Sequence, residues 1–232
     1  MSSPGGSPDG RADGGPGEAR PVRLPTDRYY SVAERLAQVG GPVRARLRAR
    51  FDAAGLPYPP DKVVLLAIKD RRRLHVYASD RGGPMKLVHT HTIVAASGRA
   101  GPKLRESDRQ VPEGIYAIEA LNPNSRFHLS LRVNYPNEFD RRKATQDGRS
   151  NLGGNIMIHG SGASAGCLAM GDVASEDLFM LAADTGVRNV KVLIAPVDLR
   201  TAGRPAVRDG PFWLGELYDA LANELRALPP AP

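Results

Sequence analysis

The pattern of apolar positions changes character twice along this chain. Residues 1–27 are rich in Gly, Pro, Ser and Asp and almost free of apolar side chains. Such a composition buries too little surface to offset the entropy of ordering, so a disordered leader is expected. Residues 28–57 turn helical. Ser31 and Glu34 form an S-x-x-E capping box that starts a short helix, and Gly40-Gly41 is expected to end it. Pro42 suits the first position of a second helix, where Val43, Leu47 and Phe51 recur at four-residue spacing until Gly55 stops it.

From Lys62 onward the apolar residues run together or alternate, as in strands. Segments 62–69 and 73–79 flank the polar turn Asp70-Arg71-Arg72 and read as a hairpin. Segments 85–95, 114–120, 127–133 and 155–159 are further β-rich stretches, separated by Gly/Pro/Asn-rich connections at 97–102, 122–125 and 147–154. A helix is expected over 172–185, a strand over 190–195, and a closing helix after Pro211 with Trp213, Leu214, Leu217, Leu221 and Leu225 as its buried stripe. Consecutive strands without intervening helices predict an α+β fold, mainly antiparallel β, with an N-terminal helical pair and peripheral C-terminal helices. The main domain should occupy residues 58–232.

Apolar residues at 41% of 232 positions suffice for one substantial core. No apolar run approaches the ~18 residues of a membrane span, and residues 1–20 lack the apolar stretch of a signal peptide. The compartment therefore stays open. The net charge of +7 invites a polyanion, yet the basic runs 44–50, 71–73 and 141–143 have no interleaved aromatics to stack bases. They read as solvated faces, and nucleic acid is not an expected partner. The single cysteine, Cys167, cannot close an intramolecular disulfide.

That cysteine lies in Asn155-Ile-Met-Ile-His159-Gly-Ser-Gly-Ala-Ser164-Ala-Gly166-Cys167-Leu-Ala-Met170. A β-rich segment delivers His159 to its end, and a loop with Gly160, Gly162 and Gly166 allows the chain to fold back and set imidazole beside sulfur. Acyl transfer by a thiol needs that proximity, because the thiolate attacks and the imidazole stores the proton. The backbone N–H groups of Ala165, Gly166 and Cys167 are candidates for an oxyanion hole. Ser161 and Ser164 lack the G-x-S-x-G setting of a serine nucleophile. His89 and His91 share a strand face without a third ligand nearby, so no metal is expected; His75 reads as a surface strand residue.

The same stretch resembles the active-site motif of the YkuD-type L,D-transpeptidases, His-Gly followed by a loop and [Ser/Thr]-x-Gly-Cys. It resembles most the YafK-like branch, with its compact H-G…S-x-G-C-x-A-M pattern. Residues 111–116, 121–130 and 134–137 have the texture of that branch, extending the resemblance over about residues 58–200. The resemblance implies a YkuD-type β core and a thioester at Cys167, formed on peptidoglycan stem peptides that contain diaminopimelate. His159 would be the base, Gly160 would orient its ring through the backbone carbonyl, and Ser164 would shape the loop. Ala165 stands where the wider family usually has histidine, so anion stabilisation would fall to the backbone. His128, Asn134 and Tyr135 are candidates for holding the stem peptide, and segment 137–154 is the candidate lid. The acyl group would pass to an amine or to water, the latter making the protein an L,D-endopeptidase. No cofactor or metal is implied, the expected location is the periplasm or cell envelope, and a monomer is favoured. A non-catalytic wall-binding module is the reading of a different class.

Overall fold

The computed structural model describes residues 19–231. In chain order the elements are α1 (Val32–Ala53), β1 (Lys62–Ile68), β2 (Arg73–Ser79), β3 (Lys86–Thr92), β4 (Ala95–Ala96), β5 (Gly114–Ser125), β6 (His128–Val133) and α2 (Glu138–Gln146). They continue with β7 (Met157–His159), β8 (Leu168–Ala169), α3 (Asp172–Thr185), a short 3-10 turn at Val187–Asn189, β9 (Val190–Ala195) and α4 (Leu214–Arg226). The nine strands form one sheet in the order β3-β2-β1-β9-β5-β6-β7-β8-β4. Only the β1–β9 and β7–β8 pairs are parallel, so the expected antiparallel character stands.

Helices cover the sheet unevenly. Val63, Leu65 and Ala67 of β1 pack with Val39, Val43, Leu47 and Phe51 of α1 and with α3. Their neighbours Val64, Leu66 and Ile68 pack on the other face with Trp213, Leu217 and Leu221. At the other end of the sheet, Leu129, Leu131 and Val133 of β6, Ile158 of β7 and Leu168 of β8 join the α1/α3 side alone. The opposite face there carries Ser130, Arg132, Met157 and His159, because side chains alternate along a strand.

Two expectations for helices change. α1 is one helix through Gly40, Gly41 and Pro42, with its capping box formed at Ser31 and Glu34. Glycine and proline inside a helix cost about 1 and 3 kcal/mol. Four fully or nearly buried apolar residues, together with the Arg44–Asp184, Arg46–Glu176 and Arg50–Asp177 ion pairs to α3, offset that cost. The second change is α2, inside the segment read as a lid. Asn137 and Asp140 cap it reciprocally at 3.0 Å, and Phe139 meets Trp213 edge-on at 5.7 Å. About half of that segment, the nine residues of α2, is therefore a docked helix.

Residues 1–18 of the expected leader lie outside the described residues. Residues 19–30 run without helix or strand, and the Val22 N–H donates to the buried Glu176 carboxylate at 2.6 Å while Leu24 rests on the core. Among the described residues no helix is long and apolar enough to cross a membrane.

Candidate active site

Strand pairing brings the candidate residues together. Ser130 pairs with His159 and Arg132 with Met157 between β6 and β7. Ile158 pairs with Leu168 and His159 with Ala169 between β7 and β8. One step back in that parallel register, Cys167 faces Met157. His159 and Cys167 are thus diagonal neighbours across the β7–β8 pair, on the face away from α1 and α3.

The loop between them is tied at both ends. Met170 N–H donates to the His159 carbonyl at 2.8 Å, and Gly171 N–H to the Ser161 carbonyl at 3.1 Å. Asp172, at the start of α3, accepts from Ser161 N–H at 2.8 Å. Gly160 is required by crowding: a Cβ there would lie 2.5 Å from Asp172 Oδ1 and 2.7 Å from the Phe127 carbonyl. Gly166 is required by its backbone, at φ +105°. Ser164 Oγ donates to the Cys167 carbonyl at 2.6 Å and so holds the turn that presents the thiol.

The oxyanion expectation needs one correction. Gly166 N–H donates to Ser97 Oγ at 2.6 Å, which removes it from the candidate donors. Among the described residues no acceptor takes the N–H of Ala165 or Cys167. Ser97 itself gave no local signal, since only the folded chain places it beside residue 166.

His159 is nearly fully buried, and its Nδ1 meets the Gly160 carbonyl at 2.5 Å. A carbonyl can only accept, so Nδ1 carries the proton and Nε2 is left with its lone pair. Burial pushes the imidazole pKa below its ordinary value, partly countered by the Gly160 bond. Burial likewise pushes the Cys167 thiol up, with the Met157 backbone pulling the other way. Cys167 Sγ contacts the Asn155 carbonyl at 3.8 Å, and no hydrogen bond joins it to His159. Both shifts favour the uncharged forms, thiol and imidazole.

The residues expected to hold substrate separate into different roles. His128 Nε2 pairs with Glu176 at 2.9 Å. Asn134 accepts from Ala117 N–H at 2.9 Å, locking β5 to the end of β6. Tyr135 is buried with its hydroxyl on the Lys103 and Leu152 carbonyls, and with Asn134 it lines a hollow beside Gly153 and Gly154. His75, expected at the surface, is buried because the C-terminal cluster covers that face; its Nδ1 meets Thr90 Oγ1 at 2.8 Å. Phe127 was missed by pattern: it is exposed, yet its ring stacks on His159 at 4.7 Å.

Cys167 opens onto a hollow of about 410 Å³ lined by Lys103, Glu106, Arg109, Gly153 and Asn155. A larger hollow of about 930 Å³, between residues 21–29 and the β5–β6 turn, meets the pair only through Phe127 and Ser161. Of these two, the smaller is the one lined by Cys167.

A family model for the L,D-transpeptidase catalytic domain, YkuD, matches residues 61–194. The Escherichia coli protein YafK is 30% identical over 145 residues, covering 60% of this chain and 56% of its own length. The chain thus spans little more than half of that relative. Among solved structures, the helical cell shape determining protein Pgp2 from Campylobacter jejuni is similar at 20% identity, over 58% of this chain and 48% of its own, with a TM-score of 0.48. L,D-transpeptidase 1 of Mycobacterium tuberculosis follows at 14% identity, 58% and 62% coverage and a TM-score of 0.35. The family match runs from the residue before β1 almost to the end of β9 and contains both His159 and Cys167. This chain belongs to the YkuD family of L,D-transpeptidase catalytic domains.

Proposed function

We propose that the protein is a cysteine acyl-transfer enzyme of L,D-transpeptidase type acting on peptidoglycan stem peptides in the cell envelope, with residues 58–232 as its catalytic unit. The observation that carries this is the His159 Nδ1–Gly160 carbonyl bond, which leaves Nε2 as a free base on the face where Cys167 lies. A peptide carbonyl enters the hollow at Cys167. Nε2 takes the thiol proton as sulfur attacks, and the anion is held by the N–H groups of Cys167 and Ala165. The imidazolium returns the proton to the leaving amine, giving a thioester. An acceptor amine or water then attacks, with His159 again as base.

Coupled protonation suits the shifted groups. With the thiol raised and the imidazole lowered, a preformed ion pair is disfavoured, so proton transfer accompanies attack. Of the candidate lid only Gly153 and Gly154 border the hollow, its other rim is residues 103–109, and the loop 160–166 is short. Water therefore competes for the thioester, and hydrolysis accompanies transfer, with transfer rising as acceptor is added.

The test is to incubate the protein with wall fragments and read products and protein by mass. An acyl adduct on Cys167 together with cross-linked or cleaved peptides is expected. Turnover by Cys167→Ala would overturn the mechanism. Salt-sensitive binding to nucleic acid without any wall product would favour the basic runs instead.

A further inference from the structure

One fully buried carboxylate on α3 has no part in the reaction scheme above. Glu176 has no exposed surface, yet three separate segments donate to it. The Val22 N–H, before α1, does so at 2.6 Å, Arg46 of α1 at 2.9 Å and His128 Nε2 of β6 at 2.9 Å. Burial alone would push the Glu176 pKa up, but the bonds from His128, Arg46 and Val22 outweigh it and hold the carboxyl below its ordinary value. The group is therefore charged, and bonds to it are roughly twice as strong as neutral ones.

Of the three donors, His128 leads to the reacting pair. It stands at the β5–β6 turn with φ +69°, a left-handed conformation uncommon outside glycine. Its neighbour Phe127 lies over His159, the ring centroids 4.7 Å apart and the planes 30° from parallel. The same turn presses on Gly160. A Cβ there would lie 2.7 Å from the Phe127 carbonyl and 2.9 Å from His128 Cβ, and Gly160 N–H donates to the Leu129 carbonyl at 3.2 Å. Residues 127–129 thus touch both the base and the residue whose carbonyl orients it. Phe127 and His128 also line the hollow of about 930 Å³, whereas His159 is only 2% exposed.

Resting on the acyl-transfer reading above, we propose that Glu176 and His128 are positioning residues for the base, holding the Phe127 ring as a cover over His159 and the turn against Gly160. Released from Glu176, the turn lets Phe127 move into the hollow, and water reaches the imidazole. Burial is what lowers the His159 pKa, so exposure raises it towards that of an ordinary histidine. The titratable groups on the elements packed around His159 are His128 and Arg132 on β6, Cys167 before β8, and Asp172 and Glu176 on α3. All of them remain in a Phe127 variant, so a shift there reads exposure alone.

The test uses the whole chain carrying Phe127→Ala, His128→Asn or Phe127→Tyr. Asparagine tolerates the left-handed backbone at 128 but is too short to reach Glu176. Glu176 itself is left in place because it also anchors α1 and the segment before it. Three quantities are read: the ring-proton NMR titration of His159, assigned by its loss in His159→Gln; kcat and KM on stem peptides across pH; and the thermal midpoint. In Phe127→Ala and His128→Asn the titration is expected to move up towards about 6.5, carrying the acid limb of kcat/KM with it. At neutral pH kcat should fall about 10- to 100-fold with KM little changed, as for a slightly misplaced catalytic group. Phe127→Tyr keeps the ring and should behave as wild type. An unmoved titration and acid limb in both variants overturns the proposal, even where activity or the thermal midpoint falls, because loss of fold alone leaves the profile in place. A shift in Phe127→Ala without one in His128→Asn overturns the part given to Glu176 and His128. Should His128→Asn not fold, Phe127→Ala, on an exposed residue, carries the test. The titration needs no substrate, so the two readings fail separately. Shifted titrations with no adduct on wild-type Cys167 uphold the positioning and overturn the acyl-transfer reading, and an adduct with unshifted titrations does the reverse.

Discussion

The two ends of the sheet differ in how they are covered, and the His159–Cys167 pair lies at the less covered end. β1 is buried at every position from Val63 to Ile68, because α1 and α3 lie on one face and α4 on the other. β6 is Leu129, Leu131 and Val133 on its covered face and Ser130 and Arg132 on the other. A side chain in the first region has only packing to do. In the second, the face away from α1 and α3 carries polar residues that range from half-exposed Arg132 to buried Ser130 and His159. The family's pair sits there, on strands whose backs are held by the same core.

Substitutions on the two sides should separate stability from activity. Cys167→Ala is expected to abolish turnover and adduct formation while leaving the denaturant midpoint near wild type, since its contact with the Asn155 carbonyl is a weak 3.8 Å bond. Leu66→Ala, fully buried between β1 and α4, should cost about 2–5 kcal/mol of stability yet leave kcat of the folded protein intact. If the cysteine variant unfolds or the leucine variant loses kcat, the division between the two regions is broken. Next in size is Gly160→Ala. Its Cβ would press on Asp172 Oδ1 and the Phe127 carbonyl, displacing the carbonyl that orients His159. A loss of about 100-fold in kcat is expected, as for comparable misplacements of a catalytic group. Wild-type rates in that variant would show that the carbonyl bond is dispensable.

What was legible in the sequence follows the same boundary. Strands β1, β2, β5, β6 and β9 stand out because unbroken or alternating apolar runs have few other uses. The His159–Cys167 pair stands out because one histidine, one cysteine and three glycines in a short loop form a local pattern. α2 was hidden: it is short and polar, and its cap is Asn137–Asp140 instead of the Ser–Glu form that marks α1. The continuity of α1 through Pro42 was hidden as well, because it depends on residues of α3 more than a hundred positions away. Ser97 and Phe127 were invisible for the same reason. Each acts on the site by where the fold puts it, and neither its type nor its spacing announces that.

Acid should affect the two regions differently. His91, on β3 under α1, has its pKa pushed down to about 3 by burial, with His89 alongside adding to the effect. In the unfolded chain it titrates near about 6.5. Between those values the unfolded state holds a proton that the folded state lacks. The stabilisation is therefore complete above about 6.5 and is lost as pH falls towards 3. Unfolding in urea at pH 7.5 and 4.5 should show a fall in stability that His91→Gln reduces. His159 is depressed in the same direction, but its protonation removes the base, so kcat/KM should hold below the ordinary imidazole pKa and then decline. An acid limb at or above about 6.5 would contradict a buried, neutral His159.

The smallest effects concern two hydroxyls. Ser130 Oγ and Thr185 Oγ1 are buried without a hydrogen-bond partner, the first across from His159 on the uncovered face, the second at the end of α3. A buried hydroxyl without a partner carries a desolvation penalty with no return, so replacing it with an apolar group of similar shape is neutral or favourable. Thr185→Val keeps the volume and should raise stability by up to about 1 kcal/mol. Ser130→Ala gains by the same argument but loses an atom packed beside the imidazole, so its net change should lie closer to zero. The contrast tests coverage itself: Thr185 lies at the end of α3, whereas Ser130 lies beside His159 on the face away from α1 and α3. A drop of more than about 1 kcal/mol in Ser130→Ala would mean that its hydroxyl is bonded in solution, making the uncovered face wetter at His159 than its burial implies.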